Sequence, residues 1–247
     1  MNLRNCLSAL GLSWMAENLE SELKAAALAK RPTRVLLERL FEGEREARLA
    51  GTARRRFAAA RVPVVKTIAD FDFNWPLGLD GDVVRHFARL GFVKEHENLA
   101  FIGGVGTGKS HMLAAFVCEA CQKGLSARFA KAAEIVEQLS TARRKGKLAS
   151  AMRRFTRPEL LAIDELGVRS FDPAESDLLF QIFAERYERA STIVASTLAY
   201  KDWGGVFANN AAITSVILDR FTHHSHTFFI DGRSYRTKGR IEDKPAS

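Results

Sequence analysis

Residues 101 to 116 read FIGGVGTGKSHMLAAF, with four glycines in six positions followed by Lys109 and Ser110. Glycine is costly in backbone entropy, so such a run marks a place where something must approach the main chain closely. Gly103, four further residues, then Gly108, Lys109 and Ser110 fit the phosphate-loop pattern G-x-x-x-x-G-K-[ST]. Gly104, Gly106 and Gly108 let backbone N–H groups turn inward at phosphate oxygens. The cradle therefore runs through Gly103, Gly104, Val105, Gly106, Thr107, Gly108, Lys109, Ser110 and His111. A helix starting there adds partial positive charge. Lys109 is expected to reach the β- and γ-phosphates, and the Ser110 hydroxyl to sit on Mg²⁺.

Hydrolysis needs a second group of residues. ELLAID, residues 159–164, reads as a buried strand ending in Asp164, which is expected to hold the Mg²⁺ shell and so is a metal ligand with Ser110. Glu165 follows directly, on the other side of the pleat, and is expected to act as general base on the attacking water. At the end of STIVAST, Ser196 or Thr197 can hydrogen-bond the γ-phosphate or that water. Arg220, near the end of a helix, suits bridging phosphate oxygens across a subunit boundary, with Asp219 as its alternative partner. His223, His224 and His226 resemble a metal cluster, but histidines at a helix end are usually not one. Cys118 and Cys121 have C-x-x-C spacing inside a predicted helix, with no second pair to complete a zinc site, and read as core residues.

These groups need elements to hold them. ENLAFI (97–102), SARFA (126–130), ELLAID, STIVAST (191–197) and HTFFID (226–231) read as strands alternating with helices. That rhythm predicts an α/β fold with a mostly parallel sheet covered on both faces. Upstream, apolar residues at helical spacing predict one helix over 3–29, a break at Lys30-Arg31-Pro32-Thr33, and a second helix over 34–61. The segment from Val62 to Asp80, with Pro63 and Pro76 in it, reads as an extended linker. The expected domains are a helical one over 1–66 and the phosphate-binding one over 67–247.

The chain has 247 residues, 47% of them hydrophobic, enough for one α/β domain and a small addition. No apolar run approaches the ~20 residues of a membrane span. No secretory signal pattern opens the chain, and three cysteines suit a reducing cytoplasm. The net charge of +8 is concentrated in two runs. One holds Arg54, Arg55 and Arg56; the other holds Arg143, Arg144, Lys145, Lys147, Arg153 and Arg154. Neither is balanced by interleaved acids, which points to nucleic-acid backbone as partner.

The stretches GGVGTGKSH, LLAIDELG, LLFQIFAERYERASTIVAST, KDWGGVF and ILDRFTHHSHTFFIDGRSYR resemble the IstB-type helper ATPases of bacterial insertion sequences. These are relatives of DnaC-type helicase loaders in the initiator branch of the AAA+ class. LGLSWMAENLE and PVVKTIADFDF extend the resemblance over nearly the whole chain. It implies an ATPase that assembles as a homo-oligomer on double-stranded DNA and hands that DNA to a cognate transposase. It further implies that Arg220 acts in trans and that Arg236 is a second phosphate-sensing arginine. The basic stretch over 140–157 would face DNA, and Thr197 takes the place of a commoner asparagine. Only about seventeen residues follow HTFFI, so no C-terminal helical lid is expected. A helicase loader and, from another class, a small-molecule P-loop kinase remain the alternatives.

Overall fold

The computed structural model describes residues 2–75, 78–232, 234 and 235. The chain divides into two units, Met1–Arg55 and Arg56–Ser247. The boundary falls ahead of residue 66 because Phe57, Ala60, Val62 and Ile68 pack into the core of the second unit.

The first unit contains α1 (Leu3–Ala9), α2 (Ser13–Leu28) and the greater part of α3 (Thr33–Ala60). The single helix expected over 3–29 is broken at Gly11, which lies in the left-handed region at φ +70°. Arg48 donates to the Gly11 carbonyl at 2.9 Å and holds that turn. Leu7, Met15, Ala16, Leu19 and Leu40 bury one another as a small core. The buried Glu44 carboxylate accepts from the Met15 N–H and from Arg48.

The second unit is an α/β sandwich. After α4 (Gly81–Phe87) and α5 (Gly91–Lys94) come β1 (Asn98–Gly103), α6 (Lys109–Gln122), β2 (Ala127–Lys131), α7 (Ala132–Arg144), α8 (Leu148–Thr156) and β3 (Leu160–Leu166). Then follow α9 (Pro173–Arg186), β4 (Ser191–Ser196), a 3₁₀ turn (Tyr200–Gly205), α10 (Ala211–Thr222) and β5 (Ser225–Ile230). The five strands are all parallel, in the order β2-β3-β4-β1-β5. Alternate residues serve opposite faces, as the pleat requires. Leu99, Phe101, Leu160 and Ala162 pack with α6; Ala100, Ile102, Leu161 and Ile163 pack with α7, α8 and α9.

One further detail differs from the sequence expectation. Strand β3 does not end at Asp164 but continues to Leu166 through a register shift after Ile163, with Glu165 at φ +57°. The basic stretch is helical with its break at Gly146 (φ +64°), as that glycine in the sequence leads one to expect, and forms a hairpin of α7 and α8. Its apolar side (Ile135, Val136, Leu139, Met152, Phe155) enters the core, which leaves the basic side in solvent. No lid helix follows β5 among the described residues.

Candidate nucleotide site

Parallel strands place their C-terminal ends on one edge of the sheet, where loops meet helix N-termini. β1 delivers the glycine loop to that edge. Gly103 is obligatory: a Cβ there would meet the Ile230 carbonyl oxygen at 2.1 Å. Gly108 caps α6 in the left-handed region at φ +96°. The first N–H groups of α6 therefore face the loop interior with no side chain capping them.

Lys109 is buried within this loop, and its Nζ donates to the Gly103 carbonyl at 2.7 Å. Burial lowers its pKa, while Asp164 pulls it back up. Asp164 is 4% exposed. Burial raises its pKa; hydrogen bonds from the Ser110 hydroxyl and the Glu165 N–H oppose this, the Glu165 charge adds to it, and Lys131 counters that. The fold thus brings Ser110 of the loop and Asp164 of β3 into hydrogen-bonding contact from 54 positions apart in the sequence. A hydroxyl and a buried carboxylate form a hard oxygen donor pair beside a phosphate cradle, a set that suits Mg²⁺.

Glu165 is exposed, and its Oε1 lies 2.8 Å from Lys131 Nζ. Lys131 is register-paired with Asp164 across β2 and β3, so both acids and this lysine share one corner of the edge. Thr197 follows the last residue of β4, and β4 lies between β3 and β1. Its position is therefore between the acid pair and the glycine loop. Neighbouring Ser196 accepts the Leu198 N–H at 3.0 Å.

Arg220 stands at the other end of the sheet. α10 runs into the start of β5, and Asn98, the first residue of β1, donates to the Phe221 carbonyl at 3.1 Å. The glycine loop leaves the far end of β1 at Gly103, five residues on, or about 16 Å at the usual strand rise. Among the described residues no carboxylate pairs with Arg220, Asp219 included; its guanidinium lies over the Phe180 and Tyr187 rings at 5.9 and 5.8 Å. Arg236 lies outside the described residues.

The sequence reading missed one wall of the site. A cavity of about 390 Å³ opens over the glycine loop, lined also by Lys66, Asp70, Phe71, Trp75 and Tyr235. The linker is thus not merely a spacer. His111 Nε2 lies 2.9 Å from the Thr67 carbonyl, and its ring meets Phe71 edge to face at 5.3 Å. The mixture of aspartates and aromatics over 70–75 was the available signal.

Of the basic residues, Arg143, Arg144, Lys145, Lys147, Arg153 and Arg154 are exposed on α7, α8 and the turn between them. Among the described residues only Arg143 of these pairs with an acid, Asp177 at 3.2 Å. Arg54 and Arg55 are exposed on α3, whereas Arg56 is half-buried beside Gly124. Cys118 and Cys121 are buried in α6, and burial pushes the Cys121 thiol up to about 11, as expected of core residues.

Glycine cradle, buried lysine and hydroxyl–carboxylate pair on a five-stranded parallel sheet define a P-loop ATPase of the AAA+ class. Solved structures share the fold. AMPPCP-bound DnaA from Aquifex aeolicus superposes with a TM-score of 0.59 at 22% identity, over 74% of this chain and 55% of that one. The DnaC helicase loader gives 0.56 at 17% identity, over 71% and 98%. More specifically, residues 5–243 match the family described as IstB-like ATP binding protein, and the chain belongs to that family. It is 34% identical to the ATP-binding protein of insertion sequence IS5376 from Geobacillus stearothermophilus, over 93% of this chain and 91% of the relative. It is also 34% identical to that of IS21 from Pseudomonas aeruginosa, over 94% and 87%. Among the described residues no helix is long and apolar enough to cross a membrane.

Proposed function

We propose that this ATPase is a transposition helper that assembles on double-stranded DNA when ATP and Mg²⁺ are bound, and presents that DNA to the transposase of its insertion sequence. The observation that carries the reading is the separation of Arg220 from the glycine loop on opposite ends of β1. An arginine so placed serves a neighbour's γ-phosphate better than its own. ATP then adds charge-assisted contacts at a subunit edge, and hydrolysis removes them. In the neighbour, Ser110 and Asp164 hold Mg²⁺, Glu165 activates water and Thr197 orients it.

Assembly repeats the α7–α8 hairpin along the duplex. Five of its basic side chains carry no acidic partner among the described residues, which leaves them for phosphates. Binding by phosphate neutralisation is strongly salt-dependent and weakly sequence-specific. The N-terminal helices, with Arg54 and Arg55, add grip on DNA or on the next copy. The insertion-sequence names of the relatives support the transposase as partner.

The test is ATPase activity against duplex length and salt, for the native chain and for Arg153→Glu/Arg154→Glu. Stimulation by duplex that the double substitution abolishes supports the reading. Activity indifferent to DNA overturns it, and capture of a replicative helicase rather than the transposase would move the chain to the loader class.

A further inference from the structure

The corner of the molecule beside Arg220 holds a second group of chemically active side chains. Glu188, His223 and His224 each offer one ligand atom, and these atoms lie within 4.8 Å of one another. The sequence trio His223, His224 and His226 is not what converges: His226 turns to Glu97, 3.7 Å away. Glu188, from the turn after α9, takes its place.

The three are held as well as brought together. The His223 and His224 rings lie against one another at an interplanar angle of 52°, with centroids 4.0 Å apart. The Tyr187 hydroxyl lies 3.0 Å from His223 Nδ1 and is also hydrogen-bonded to the Glu188 carboxylate. In the tautomer where Nδ1–H donates to that phenol, Nε2 is the unprotonated nitrogen left for a metal. A ligating imidazole whose other nitrogen is engaged by an outer group is the usual arrangement at metal sites. Glu188 sits at φ +55°, a conformation that favours glycine, so its side chain is placed where a turn alone would select another residue.

We propose that Glu188, His223 and His224 form a binding site for a zinc-class divalent transition-metal ion, with Tyr187 as its positioning residue. Two imidazoles and one carboxylate suit Zn²⁺ or Co²⁺ and leave a fourth position for water. Hard cations such as Mg²⁺ prefer all-oxygen sets, so this site and the nucleotide site differ in metal. A bound ion ties the turn after α9 to the end of α10, less than one helical turn past Arg220.

The experiment is Co²⁺ titration of the untagged full chain without nucleotide, followed by visible absorption and by equilibrium dialysis with Zn²⁺. The expected result is saturation at one ion per chain, with the ligand-field bands of a four-coordinate nitrogen and oxygen site. Affinity should fall at least tenfold in His223→Ala, His224→Ala and Glu188→Gln, and about 10-fold in Tyr187→Phe. Unchanged circular dichroism would confirm that the variants fold. Absence of saturable binding, or binding that survives both histidine substitutions, as the buried cysteines would give, overturns the proposal.

Discussion

Lys131 Nζ and Glu165 Oε1 stand 2.8 Å apart at the edge of the sheet where the triphosphate chain would lie. The ion pair fixes the carboxylate proposed as general base to the end of β2, directly where α7 begins. Lys131→Met frees that carboxylate. Basal hydrolysis should rise by up to about tenfold, or about 1.4 kcal/mol in barrier, with ATP affinity unchanged. Glu165→Gln should bind ATP normally and lose about 10²–10⁴-fold in turnover. Steady-state ATPase with separate nucleotide-binding titrations checks both; full turnover in Glu165→Gln would remove Glu165 from the reaction.

Asp164 gives a pH dependence. Burial, first among its influences, holds its pKa above the ordinary carboxylate value. A carboxyl with a raised folded pKa penalises the fold once pH exceeds its unfolded pKa, and the penalty lifts as pH falls through the folded one. Asp164→Asn should therefore raise Tm at neutral pH, with the gain shrinking in acid, while Mg²⁺-dependent ATP binding weakens. Thermal melts from pH 4 to pH 8 measure the first effect, and Mg²⁺ titration with ATP the second. A Tm gain that does not change with pH would dissociate it from this carboxyl.

Arg220→Ala should leave nucleotide binding by the monomer intact and reduce both assembly and ATPase. Loss of a charge-assisted contact of about 1.5–3 kcal/mol corresponds to roughly 10–100-fold. Mixing Arg220→Ala with Lys109→Ala chains should restore partial hydrolysis, because each supplies what the other lacks. No recovery in the mixture would argue that the arginine does not act in trans.

Arg186 tests the scaffold rather than the site. It is almost wholly buried, and burial brings its pKa down to about 9. Its guanidinium donates to the carbonyls of Phe155, Thr156, Pro158 and Ser191 and to the Thr192 hydroxyl, tying the end of α8 to β4. Arg186→Ala leaves those acceptors buried and unsatisfied and should cost about 3 kcal/mol or more. Urea unfolding measures it.

The legible parts of the sequence were those set by local rules. The glycine loop, the five strands and the hairpin break at Gly146 follow from spacing, alternation and turn chemistry. Arg186 was not legible, because nothing in a run such as FAERYERA says which arginine turns inward. Nor was the Lys131–Glu165 pair, which depends on strand register. The bulge that carries β3 past Asp164 was hidden for the same reason, since a run of apolar residues does not report where pairing slips. The linker wall of the nucleotide cavity has no signature of its own in the sequence, because its aromatics lack any period. The Glu188 corner needed the turn after α9 and the end of α10 to be adjacent in space, which no spacing in the chain declares.

The most direct measurement is analytical ultracentrifugation of the full chain with duplex DNA, comparing ATP, ADP and no nucleotide, with Mg²⁺ throughout. The expected result is a DNA-bound assembly of many copies with ATP, dispersed by ADP and absent in Arg220→Ala. A chain that stays monomeric and free of duplex in the presence of ATP would contradict the proposed role of the triphosphate as a bridge between neighbours.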